Sequence, residues 1–85
     1  MTHLEYDILD ELYFVQSFDN LLLSLDLDKE TLKKSLKTMF IKGWIRCYNT
    51  PTDELFQGDV DLDSEYAQYF YIASKSGLLA HSLDD

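Results

Sequence analysis

Residues 25–45 read Leu25-Asp26-Leu27-Asp28-Lys29-Glu30-Thr31-Leu32-Lys33-Lys34-Ser35-Leu36-Lys37-Thr38-Met39-Phe40-Ile41-Lys42-Gly43-Trp44-Ile45. Asp26-Leu27-Asp28 reads as a tight turn, and Asp28 suits the position whose side chain caps free backbone N–H groups. Leu32, Leu36, Met39 and Phe40 follow at i, i+4, i+7 and i+8, which is one face of a helix. This third helix spans about 28–42. Gly43 is placed to close it in a left-handed conformation. Trp44 to Tyr48 is aromatic and β-branched, the composition of a strand.

Upstream, Leu4, Ile8, Leu12 and Val15 share a face, widened by Leu9 and Tyr13, and predict a first helix over 4–15. Ser17 can cap a second helix carrying Phe18, Leu21, Leu22 and Leu25. Downstream, Asn49-Thr50-Pro51-Thr52-Asp53 breaks the strand, and an acidic connection runs to about Glu65. Tyr66 to Ala73 then reads as a second strand, and Ser74 can cap a short last helix with Leu78 and Leu79. The expectation is an α+β fold: a three-helix bundle, a two-stranded antiparallel hairpin over about 44–73 and a short C-terminal helix. At 85 residues, it forms a single domain covering 1–85.

The 25–45 stretch resembles the turn, recognition helix and first wing strand of winged-helix transcription regulators, notably the MarR-like and PadR-like groups. Their pattern has leucines around the turn, a capping Ser, Thr or Asp, an aliphatic helix stripe, and then a basic residue, Gly and an apolar pair. Leu25, Leu27, Asp28, Thr31, Leu32, Leu36, Met39, Lys42, Gly43 and Ile45 fit it without a gap. Tyr71-Ile72-Ala73-Ser74-Lys75-Ser76-Gly77 is similar to the strand-to-helix ending of the same families. The resemblance implies a winged helix whose third helix enters the major groove of DNA. Three features depart from it. Asp26 stands where glycine is common, residues 47–74 contain no basic residue where the families carry Arg or Lys, and the long dimerisation helices are missing.

The chain has 16 acidic and 7 basic residues, a formal charge of -9, so on average it repels nucleic acid and anionic membranes. Five of the bases, Lys29, Lys33, Lys34, Lys37 and Lys42, lie in the third helix, opposed there only by Glu30. The hairpin loop carries Asp53, Glu54, Asp59, Asp61, Asp63 and Glu65 instead. Two functions are therefore expected side by side. One is a DNA-binding regulator-like module, acting as a dimer through Lys29, Glu30, Thr31, Lys33, Lys34 and Lys37. The other is a protein-interaction module that does not bind DNA and meets an acidic protein or a second copy of itself. Lysines position a helix on phosphate but read sequence weakly, and the helix lacks the Arg, Asn or Gln of bidentate base contacts. Lysine is also a good helix former on a solvated face, with no function required. Ile41, nearly opposite Leu32, is expected to point outward.

No enzyme is expected: there is no Ser/His/Asp set and no Gly-rich phosphate loop. Asp59-Val60-Asp61-Leu62-Asp63-Ser64-Glu65 alternates acids like a calcium loop, but Ser64 replaces the turn glycine and Phe70 the closing glutamate. It reads as a solvated acidic loop. His3 and His81 lack metal-ligand spacing and are expected at the surface, and Cys47 reads as a small core residue. No cofactor is implied. The polar, acidic N-terminus, the single cysteine and the lack of a long apolar run give a cytoplasmic expectation.

Overall fold

The structure, a computed structural model, describes residues 1–83. The elements run α1 (His3–Glu11), β1 (Gln16–Ser17), α2 (Phe18–Leu25), α3 (Lys29–Ile41), β2 (Ile45–Thr50), β3 (Asp53–Leu55), β4 (Phe70–Ala73) and α4 (Lys75–Leu83), with single 3₁₀ turns at Gln57–Asp59 and Tyr66–Gln68.

Side-chain caps start the helices. At α1, the Thr2 hydroxyl accepts the Glu5 N–H at 3.0 Å and the Glu5 carboxylate accepts the Thr2 N–H at 2.9 Å, a reciprocal box. Ser17 caps α2 by accepting from Asn20, and Asp28 caps α3 by accepting from Thr31. Ser74 starts α4: its hydroxyl oxygen accepts the Gly77 N–H and its O–H is donated to the Gly43 carbonyl. Gly43 takes φ +78° and turns the chain out of α3 into β2. Asp26 closes α2 at φ 52°, the left-handed conformation for which glycine is better suited.

The first helix ends at Glu11, short of the expected 15. The Leu12 carbonyl accepts the Ala73 N–H at 2.9 Å, which draws the chain off the helix and onto β4. Val15 therefore lies outside the helix, and Tyr13 and Phe14 are exposed on the turn.

The expected two-stranded hairpin is a four-stranded antiparallel sheet in the order β1-β4-β2-β3. β2 and β4 do pair, from Ile45 opposite Ala73 to Tyr48 opposite Phe70. Both outer edges of that pair are also taken. Pro51 and Thr52 make a tight turn that sends the chain straight back as β3, pairing Cys47 with Leu55. On the other side, the extended segment before α2 lays Gln16 and Ser17 against Tyr71 and Phe70. The strand expected from Tyr66 begins only at Phe70, because 66–68 coil into a 3₁₀ turn.

One core lies between the helices and one face of the sheet: Ile8, Leu9, Leu12, Phe18, Leu21, Leu32, Leu36, Met39, Ile45, Cys47, Leu62, Tyr69, Tyr71 and Ala73. Cys47 is fully buried, and burial pushes its thiol up to about 12, so it stays protonated and inert. His81 is not at the surface as expected: it is 6% exposed. It lies one turn after Gly77 on the face of α4 turned to α1, where its ring stacks on Tyr6 at 4.1 Å and its Nδ1 is 3.1 Å from the Tyr13 hydroxyl. His3 is exposed, 3.5 Å from Asp7.

Candidate functional site

The surface of α3 divides into arcs with different neighbours. Leu32, Leu36 and Met39 are fully buried, as the apolar spacing requires. Lys33, Lys37, Phe40 and Ile41 form the flank next to the acidic loop. Lys34, Ser35, Thr38 and Lys42 form the flank next to the start of α1.

The acidic loop lies on the first of these flanks. Lys37 Nζ is 2.9 Å from Asp63 Oδ1, and Lys33 Nζ sits over the Tyr66 ring, 5.0 Å from its centroid. Hydrogen bonding from Lys37 holds the Asp63 carboxyl below the usual carboxylate range, and Lys33 adds to this at longer range. Both groups of the Lys37–Asp63 pair are solvated, so the pair fixes geometry more than it adds stability. The loop is anchored from beneath. Leu62 is 6% exposed and belongs to the core, while Asp59, Asp61 and Asp63 stay in water. The alternation over 59–63 is thus amphipathic, apolar side in and acids out. The Asp61 N–H donates to the Tyr69 hydroxyl at 3.0 Å, and that hydroxyl donates to Glu65 Oε2 at 3.3 Å. Asp61 Oδ1 accepts the N–H groups of Asp63 and Ser64, both at 3.2 Å.

Between loop and helix is a cleft of about 220 Å³ lined by Lys37, Phe40, Ile41, Val60, Asp61, Leu62 and Asp63. Ile41 is 67% exposed on its rim, facing outward as its position in the helix requires.

The opposite flank is closed by a second ion pair. Lys42 Nζ is 3.1 Å from Glu5 Oε2 and lies over the Trp44 ring, 4.5 Å from its centroid. Glu5 is 5% exposed. Burial opposes its ionisation, but the Thr2 N–H and the Lys42 ammonium together outweigh that and hold its carboxyl below the usual range.

The expected binding residues therefore separate. Lys33 and Lys37 are brought together with the acidic loop. Lys29, Glu30 and Lys34 are exposed and Thr31 is half-buried. Among the described residues, no carboxylate lies within ion-pairing distance of Lys29 or Lys34. Sequence reasoning missed Asp63 and Tyr66 as partners of α3, and Val60 and Leu62 as walls of a cleft. The signal was present in the period-two alternation of 59–63, which matches a segment with one side buried.

No protein-family model matches this chain, and no curated protein or solved structure matches it significantly. Among the described residues, no helix is long and apolar enough to cross a membrane.

Proposed function

We propose that this chain is a winged-helix module that binds another protein through the outward surface of α3 and its acidic loop, and that it does not engage duplex DNA. Four features support the winged-helix reading. Leu25 and Leu27 flank the turn before α3, and Gly43 carries the chain into β2 at φ +78°. The β2 and β4 strands form an antiparallel pair after the third helix, and Ser74 and Gly77 open α4 at the end of β4.

The observation that carries the interaction reading is the contact of Lys37 with Asp63. A docked acidic loop takes a lysine that the DNA reading needs for phosphate, and it sets the exposed Asp61, Asp63 and Glu65 beside the helix that would enter the groove. Each carboxylate near a duplex opposes the counterion release that drives such binding. Outside the loop contact, the exposed surface of α3 keeps Lys29 and Lys34 against Glu30, with Ile41 apolar on the cleft rim.

The DNA reading retains one specific support: Lys29 and Lys34 stand exposed near the start of α3. Titration of the full chain with duplex DNA at low salt separates the two. The interaction reading expects no saturable binding, and no change when Lys33, Lys34 and Lys37 are replaced together by Glu. Binding that weakens with salt and disappears in that variant establishes the DNA reading instead. The DNA reading also requires a dimer, because one short helix offers few contacts, so a monomeric mass in solution weighs against it.

A further inference from the structure

In the cleft between α3 and the acidic loop, exposed apolar surface and unneutralised charge meet. Its walls include Phe40, Ile41, Val60 and Leu62, and its rim carries Lys37, Asp61 and Asp63. At about 220 Å³ it is smaller than the roughly 300–1,000 Å³ of sites that enclose a drug-sized molecule or cofactor. It has room for about one bulky side chain. The loop wall is already in place, fixed by the buried Leu62 and by the Tyr69 hydroxyl between the Asp61 amide and the Glu65 carboxylate. A preformed wall lowers the ordering cost of binding.

Charge selects the occupant. Asp63 is neutralised by Lys37, whereas Asp59, Asp61 and Glu65 are exposed and, among the described residues, have no cation within ion-pairing distance. The surroundings of the cleft are therefore net negative. A second copy of this chain is poorly matched, because each copy carries a formal charge of -9 and two copies repel one another on average. Nucleic acid is repelled.

We propose that the cleft receives one bulky aliphatic or aromatic side chain from a lysine- or arginine-rich segment of a different protein, with the flanking cations against Asp59, Asp61 and Glu65. This rests on the interaction reading above and names its partner chemistry. The apolar anchor supplies affinity, and the rim charges supply orientation and a faster encounter.

The test is amide-shift mapping on the ¹⁵N-labelled full chain, titrated to millimolar with the capped heptapeptide Lys-Lys-Ala-Leu-Ala-Lys-Lys. Two control peptides replace its Leu by Ser, or all its Lys by Glu. Shifts are expected at Ile41, Val60, Leu62 and Asp63 with the Leu peptide. Removal of the anchor is expected to weaken binding about tenfold or more, as is Ile41→Ser in the protein, an exposed position whose change leaves the fold intact. Equal binding of the Ser peptide, shifts confined to other surfaces, or no shifts at all overturns the proposal. Tighter binding of the Glu peptide overturns the basic partner and leaves the interaction reading standing. Duplex DNA shifting the α3 amides of the same sample overturns the interaction reading itself.

Discussion

Two backbone positions show how single residues are constrained here. Gly77 sits in the first turn of α4, where a Cβ would run into the Trp44 carbonyl oxygen and carbon. Those are backbone atoms at the end of β2's approach, tied in place by the Ser74 N–H bonding to the same carbonyl at 2.9 Å. They cannot swing aside like a side-chain tip. Gly77→Ala is therefore expected to destabilise the protein by about 2 kcal/mol or more despite alanine's better helix propensity, read from the midpoint of urea unfolding. Asp26 is the opposite case. It holds φ 52° as the C-cap of α2, with its side chain in water. The left-handed conformation costs a non-glycine residue about 1 kcal/mol, so Asp26→Gly is expected to raise stability by up to about that amount, partly offset by the freer unfolded chain. The sequence shows Asp26 as a departure from a glycine-favouring turn, so this strain is legible in advance. The steric requirement at Gly77 is not, since nothing local to 74–80 reveals that the Trp44 backbone passes so close.

The same contrast between local and distant causes holds for the elements. The caps at Ser17, Asp28 and Ser74 and the exit at Gly43 follow from neighbours within four residues, and the sequence places all of them. β1 and β3 are two and three residues long and exist only because β4 and β2 have open edges to offer. Strands that short leave no periodicity to read. The join of α1 to α3 is also long-range, and it makes stability depend on pH. Glu5 is buried and its carboxyl is held below the usual range, with Lys42 at 3.1 Å. A depressed folded value means that the carboxylate's contribution is complete above the unfolded value of about 4.5 and is lost as pH falls through the lower, folded one. Wild-type stability is thus expected to decline below pH 4.5, with the Glu5→Gln variant declining less. At pH 7 that variant is expected to be less stable by about 1–2 kcal/mol, a value reduced from that of a fully buried pair because Lys42 is half-exposed. Chemical unfolding of both proteins between pH 3 and 7 measures both effects; parallel curves would show that Glu5 is not the titrating group.

For the whole molecule, the question is where the charge goes. A net charge of -9 on 85 residues opposes compaction. The concentration of lysine on α3 is visible in the sequence. That the loop more than twenty residues away folds back to pair Asp63 with Lys37 is not, because only the tertiary fold brings the two together. The alternation of acids with Val60 and Leu62 marks the loop as one-sided without saying what lies beneath it. The exposed pairs Lys37–Asp63 and Arg46–Glu54 are individually weak, and salt weakens them further, whereas the repulsion among the remaining carboxylates acts over the whole surface. Screening is thus expected to help more than it harms: raising NaCl from about 10 to about 200 mM moves the Debye length from roughly 30 Å to under 10 Å, close to the scale of the protein, and should increase stability by about 0.5 kcal/mol. For a domain of this size that is a rise in Tm of about 2–4 °C. Lys37→Glu removes the cation that pairs with Asp63 and adds a further negative charge beside the loop, so its salt response should be larger than that of wild type. A melting series in NaCl for the two proteins tests this directly, and a wild-type Tm that falls with salt would mean that the ion pairs outweigh the repulsion.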